Sequence, residues 1–431
     1  MKQYVIIGNG VAGAEAALEL RRRLSPEEGR ILLISDESPY FFSRTALMYA
    51  FMDRLDRRDL EPYERKVWDI QKIERVQARV VDLDASRRCI TLESGEELSF
   101  DRCLVATGAS PRMVPFEGLD AVEDGLVHFV SLDDLDACER LARTSDRAVV
   151  VGGGLIGVEL VECFLHHGLE VTFLVREPYF WPAALAAEEG EMISEHIGDH
   201  GVELIHGEEL HRIDVDEAGK IVAIQTTGER TLPTDILGIC IGVVPTVDWL
   251  RDVTTPPTLK GGLLVDRSFA TSLDGVYGAG DCVVVDLGVD GPPKHEPIWY
   301  TARDHGRLAA RSILGDDVRY EPPVFYNSSK FFDVEYTTVG AVQDLPPGTG
   351  ALFRSHPDKL ITQRILHATD GERRVLGFNM LGSRWDHRLL QRWIEERRGL
   401  NFVRRHLHEA QFDVEFGRAN LEKMNEKEIL L

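Results

Sequence analysis

Two glycine fingerprints of the form G-x-G-x-x-G limit what this chain can fold into more than any other feature. Residues 4–15 read Tyr-Val-Ile-Ile-Gly8-Asn-Gly10-Val-Ala-Gly13-Ala-Glu15, and residues 148–159 read Ala-Val-Val-Val-Gly152-Gly-Gly154-Leu-Ile-Gly157-Val-Glu159. Each comes after a short β-rich run and opens a stretch with helical spacing. In such a strand–turn–helix the first glycine permits the tight turn. The second lets the backbone approach a pyrophosphate, and the third lets helix and strand pack closely. Amides at the helix start then face the phosphates, with the helix dipole favouring their charge.

The residues downstream of each fingerprint extend the pattern. After the first, the run Arg30–Ile34 predicts a second strand ending at Ser35-Asp36-Glu37, and Asp36 stands where an acid holds a ribose hydroxyl pair. After the second, the strand Glu170–Val175 ends at Arg176-Glu177. An acid there favours the free ribose of NADH, whereas an arginine suits the extra phosphate of NADPH. Glu177 is the preferred ribose partner, so NADH is expected ahead of NADPH. Two dinucleotide sites in one chain suggest a flavoenzyme that passes electrons between them.

Other segments resemble one superfamily, the FAD-dependent pyridine nucleotide-disulfide oxidoreductases. Asp101-Arg-Cys-Leu-Val-Ala-Thr107-Gly108-Ala109 is similar to its A-T-G turn, and Ile241-Gly-Val-Val-Pro245 to its G-x-x-P crossover. Gly275-Val-Tyr-Gly-Ala-Gly-Asp281 is similar to its G-x-G-D motif, and Trp299-Tyr-Thr-Ala-Arg-Asp-His-Gly306 to its helix beside the flavin. The resemblance implies that Gly8, Gly10, Gly13, Asp36, Thr107, Gly108, Asp281 and Trp299 serve FAD. It implies that Gly152, Gly154, Gly157 and Glu177 serve the nicotinamide cofactor, with Glu159 near the nicotinamide. Val80 stands where the family touches adenine through its backbone. The alternatives are a helix N-cap for Asp281, strand core for Val80 and a dipole-favouring helix-start acid for Glu159.

Absences select the branch. None of the six cysteines forms a C-x-x-C or C-x-x-x-x-C pair, and Tyr40–Tyr49, where the family carries its redox cysteines, has none. The resemblance is therefore to members without a redox disulfide, the ferredoxin and rubredoxin reductases and apoptosis-inducing factor. Pro39-Tyr40…Arg44…Leu47 is similar to their P-Y-x-R-P-x-L-S-K segment, with Thr45, Met48 and Tyr49 replacing the proline, serine and lysine. Arg44 is expected either to stabilise charge near the FAD phosphates or reduced flavin, or to pair with a surface acid. Phe331-Phe-Asp333 resembles the family's W-S-D segment near the flavin, where an aromatic either stacks on a cofactor or packs in the core.

The expected architecture is α/β: two Rossmann-like domains, the FAD domain interrupted by the NAD domain, plus a C-terminal α+β domain. The boundaries expected are 1–115 and 245–320 for the FAD domain, 116–244 for the NAD(P)H domain and 321–431 for an interface domain with a helical tail. With 49 basic against 72 acidic residues the net charge is −23, which argues against nucleic acid as a partner. No apolar run reaches membrane-spanning length, and the first strand leaves no room for a signal peptide. Scattered cysteines fit a reducing cytoplasm. The arginine-rich tail Arg384–His408 reads either as a docking surface or as a packed helical tail, and residues 423–431 are expected to fray.

The function implied is a FAD-dependent NAD(P)H oxidoreductase that sends electrons from FAD to a separate acceptor, an electron-carrier protein or a small quinone. A redox-controlled assembly module is the alternative, and a homodimer through the C-terminal domain is compatible with either. No residue set suggests a metal cofactor.

Overall fold

The computed structural model describes residues 1–289, 291–342, 345–413 and 422–431. They gather into two compact units, one of residues 1–114, 128–140 and 242–321, the other of 115–127, 141–241 and 322–431.

The first unit is built on five parallel strands in the order Val276–Gly278, Arg102–Val105, Lys2–Ile7, Gly29–Ser35, Ile73–Gln77. Parallel strands are covered on both faces, so they read as continuous apolar runs rather than alternating ones. Tyr4-Val5-Ile6-Ile7 and Ile31-Leu32-Leu33-Ile34 are such runs, each residue at most 5 % exposed. Helices Val11–Arg23 and Trp299–Ile313 pack against each other. They approach so closely that a Cβ on Gly306 would stand 2.1 Å from the Ala12 carbonyl oxygen. An antiparallel sheet of Val80–Asp84, Cys89–Leu92 and Glu97–Ser99 completes this half with shorter pairings.

The second unit repeats the theme. Five parallel strands run in the order Glu203–His206, Glu170–Val175, Arg147–Val151, Ile236–Ile239, Leu126–Val127. Helices Leu155–His166 and Ala187–Asp199 accompany them. The same unit holds a six-stranded antiparallel sheet ordered Tyr326–Phe331, Val334–Gly340, Val375–Leu381, Thr362–Ala368, Thr349–Ser355, Asn425–Leu430. Its helices His387–Glu395 and Leu400–His406 bury Leu390, Trp393, Leu400 and Val403 in one apolar cluster with Phe378 and Ile365. The α/β fold expected from the sequence is thus present.

One expectation about the C-terminal region changes. Residues 425–430 pair with Thr349–Ser355 along their length instead of fraying, because the edge carbonyls and amides of that strand accept a further strand. Three of the tail arginines pair with acids, Arg384 with Glu335, Arg398 with Glu396 and Arg404 with Glu426, in keeping with the packed helical tail, one of the two readings of that segment.

Candidate functional site

The two fingerprints adopt one local geometry for one steric reason. Gly8 has φ +111°, and a Cβ there would stand 2.1 Å from the Ala106 carbonyl oxygen of the neighbouring strand. Gly152 has φ +113°, and its Cβ would stand 2.3 Å from the Cys240 carbonyl oxygen. Gly13 and Gly157 press on these turns, their Cβ positions 1.9 and 2.1 Å from the Gly8 and Gly152 carbonyl oxygens. Gly10 and Gly154 are different. A Cβ on either meets nothing within 4 Å. The outer two glycines of each motif are therefore explained by the protein, and the middle one faces open space of the kind a pyrophosphate needs for close approach to the backbone.

In the first unit the candidate residues lie just beyond the carboxyl ends of the parallel strands, where ligands of such sheets bind. Gly8 follows Ile7, Asp36 follows Ser35, Thr107 follows Ala106 at the end of Arg102–Val105, and Asp281 lies three residues past Gly278. The Thr107 hydroxyl donates to the Thr246 carbonyl at 2.7 Å, and the Thr246 amide donates to the Gly108 carbonyl at 2.9 Å. This clip fixes the crossing strands Ala109–Pro111 and Val243–Pro245. Asp36 is half-exposed and pairs with Arg79 at 3.0 Å, which brings the backbone before Val80 to the same rim. Val80 itself is buried and paired with Leu92.

Among the polar atoms of this unit that are buried with no hydrogen-bond partner are Asp281 Oδ1, Trp299 Nε1 and Asn9 Oδ1. A buried polar atom left without a partner is costly, so such atoms point to a ligand that supplies it. Asn9 lies inside the fingerprint, and Asp281 follows Gly280, whose Cβ position is 2.8 Å from the Ala12 Cβ. Burial pushes the Asp281 carboxyl up to about 6, against the lowering charges of His295 and Arg44. These residues fit a dinucleotide with a polyol chain.

Arg44 takes the second of its two expected places while keeping a link to the first. It binds Glu37 at 2.5 and 3.1 Å and donates to the Val130 carbonyl at 2.9 Å, and its charge still reaches Asp281. Glu37 also accepts from the Leu132 amide at 3.0 Å. The pair thereby ties residues 130–132 to the loop after the second strand, a role for Glu37 that the sequence did not reveal.

In the second unit Glu177 pairs with Arg176 at 2.8 Å. Beside them stands His206, also unforeseen, at the end of the adjacent parallel strand. Its Nδ1 donates to the Glu177 carbonyl at 3.2 Å, its Nε2 is buried without a partner, and burial lowers its pKa. A neutral imidazole beside Glu177 at the end of the strand Glu203–His206 is the result. Its only sequence signal is its position at a strand end.

Glu159 keeps some exposed surface, yet its carboxyl lies deep enough that burial pushes it up to about 7. Glu162, one turn on, raises it further, and Lys330 lowers it. Lys330 donates to Glu162 at 3.0 Å.

All six cysteines are buried. Burial pushes the Cys103 thiol up to about 12 and the Cys282 thiol up to about 11, far from the thiolate that redox exchange needs. Phe331 is core: it packs edge-on against Phe180 and Trp181 and beside Tyr336, with no exposed surface. Among the described residues no helix is long and apolar enough to cross a membrane.

Comparison with known proteins agrees with this geometry. The chain is 28 % identical over 346 residues to the 5,5'-dehydrodivanillate O-demethylase ferredoxin reductase subunit of Sphingobium sp. strain SYK-6, covering 78 % of this chain and 81 % of that one. It is 30 % identical over 321 residues to the biphenyl dioxygenase system ferredoxin–NAD(+) reductase component of Paraburkholderia xenovorans, covering 73 % and 75 %. Its fold matches a solved NAD-dependent persulfide reductase from A. fulgidus with a TM-score of 0.83 at 22 % identity, covering 94 % of this chain and 78 % of that one. Residues 2–306 match the family model described as pyridine nucleotide-disulphide oxidoreductase, and the chain belongs to that family.

Proposed function

We propose that this oxidoreductase draws reducing equivalents from NADH and delivers them from FAD to a separate electron-carrier protein of the ferredoxin or rubredoxin kind, with no thiol couple between. Family membership makes FAD and NADH its cofactors. When bound, NADH supplies a hydride and FAD converts that pair of electrons into separately transferable ones. The chain's own residues do the rest. Gly8, Gly10 and Gly13 cradle one pyrophosphate, Asp36 holds the adjoining ribose, the backbone at Val80 meets the adenine, and Thr107, Gly108, Asp281 and Trp299 line the remainder of the FAD site. Gly152, Gly154 and Gly157 cradle the other pyrophosphate, and Glu177 with neutral His206 selects the unphosphorylated ribose. Glu159, its carboxyl raised to about 7 by burial, holds a proton at the nicotinamide-binding helix near working pH.

The observation that carries the reading is the pair of open Gly10 and Gly154 positions in otherwise crowded turns, together with cysteines buried as thiols. The named relatives, two of them ferredoxin reductases, support a carrier protein as acceptor. The test is an acceptor screen with NADH-reduced protein. Rapid reoxidation by a ferredoxin or rubredoxin, and slow reoxidation by quinones, dioxygen and persulfides, is expected. The reverse order refutes the carrier-protein assignment.

A further inference from the structure

The second unit brings together a set of side chains that the proposed reaction does not use. His196 and His200 stand four residues apart at the end of the helix Ala187–Asp199, hence on one face. Asp333 lies in the two-residue turn joining the strands Tyr326–Phe331 and Val334–Gly340, 137 positions from His196 in sequence. His196 Nε2 is 2.7 Å from an Asp333 carboxylate oxygen. One ligand atom from each of His196, His200 and Asp333 lies within 4.8 Å of the other two.

The tautomer of His200 suits coordination. His200 Nδ1 lies 2.8 Å from the His196 carbonyl oxygen, and a carbonyl only accepts, so Nδ1 carries the proton and Nε2 presents its lone pair. A hydrogen bond of this type, on the ring nitrogen away from the ion, fixes ring and tautomer in metal-binding histidines. The aromatic neighbour adds to the orientation. Phe332, next to Asp333 in the turn, holds φ at +55°, a strained value for an L residue, and its ring stacks on His200 at 4.3 Å and 29°. A glycine or asparagine would relieve the turn but leave His200 without that support. His196 is buried, whereas the His200 and Asp333 side chains are exposed, so an ion can enter from solvent.

We propose that His196, His200 and Asp333 form a binding site for a divalent transition-metal ion of the Zn2+ class, joining the helix of the dinucleotide-binding half to the hairpin of the antiparallel sheet. Two imidazoles and one carboxylate are a Zn2+ donor set, and three protein ligands leave a fourth position for water or a small anion. Zn2+ bound at about 2.0–2.1 Å requires roughly 3.4 Å between ligand atoms. Reaching that spacing requires the His196–Asp333 pair to open from 2.7 Å through a change of the exposed Asp333 side chain and the His200 ligand atom to shift within its stack on Phe332. The ion replaces the direct His196–Asp333 hydrogen bond, the His196 ring proton moving from Nε2 to Nδ1 by way of solvent, and no redox change is involved.

The test is calorimetric titration of the full-length, FAD-loaded, chelator-stripped protein with Zn2+ alone, for the natural chain and for His200→Gln and Asp333→Asn. One Zn2+ per chain is expected for the natural chain, with affinity reduced at least about tenfold in each variant. Flavin absorbance and reduction by NADH are expected to be the same in all three, which shows that the variants are folded. Thermal unfolding should shift upward with Zn2+ in the natural chain and not in the variants. Equal Zn2+ affinity in all three proteins, or no stoichiometric binding up to millimolar Zn2+, overturns the proposal.

Discussion

Lys330 Nζ lies 3.0 Å from Glu162 Oε1, and its charge reaches Glu159 one helical turn earlier. The ammonium comes from the antiparallel sheet and the two acids from the helix of the second fingerprint, so one part of this unit sets the protonation of another. Lys330→Met removes the cation that holds Glu159 down. Glu159 is then expected to ionise above its present value of about 7, and the pH profile of flavin reduction by NADH should move to higher pH in the variant. An unmoved profile would show that Glu159 does not govern the step.

Glu159 also has a stability signature. Its carboxyl sits near 4.5 when unfolded and near 7 when folded, so folding favours the protonated form. Below about pH 4.5 both states are protonated and nothing is lost. Between about pH 4.5 and 7 the unfolded chain ionises while the folded one stays protonated, so stability falls through that window and the loss is complete once the buried carboxyl itself ionises near 7. Glu159→Gln abolishes the titration. The melting temperature of the variant relative to the natural chain should therefore climb between about pH 4.5 and 7 and level off above. A difference that stays flat with pH counts against the buried acid.

The glycines separate binding from folding. Gly10→Val and Gly154→Val place side chains in open space, so the fold should persist. Gly10→Val is expected to purify without FAD. Gly154→Val is expected to keep its FAD but require far more NADH for reduction. Gly8→Ala instead drives a Cβ into the Ala106 carbonyl and should destabilise the protein itself. Flavin content, NADH titration and thermal melts of the three variants distinguish these outcomes.

Those glycines are legible in the sequence because their reasons are local: a strand, a turn and a helix within a dozen residues. The motifs at Thr107-Gly108 and Asp281 are legible for the same reason. The partners that tune them are not. Glu37 finds the Leu132 amide 95 positions away, and Lys330 finds Glu162 across 168. His206 meets Glu177 only because two parallel strands end side by side. Phe331-Phe-Asp333 resembles a flavin-side segment, whereas strand alternation sends Phe331 into the core and Asp333 to the turn.

In the proposed reading, cofactor choice rests on Glu177. A hydrogen bond to a charged group contributes about 1.5–3 kcal/mol, or roughly ten- to a hundredfold in binding. Glu177→Ala should weaken NADH by about that factor and free Arg176, its partner at 2.8 Å, for a phosphate. The NADH-to-NADPH ratio of kcat/KM is therefore expected to fall at least about tenfold. An unchanged ratio would place the ribose elsewhere.

That electrons leave the flavin directly, with no thiol couple in the path, is tested most directly by anaerobic titration of the FAD-loaded protein with NADH. Complete bleaching of the flavin band by one equivalent of NADH per FAD is predicted. A requirement for a second equivalent would reveal another redox couple, and no bleaching at all would remove the reductase reading altogether.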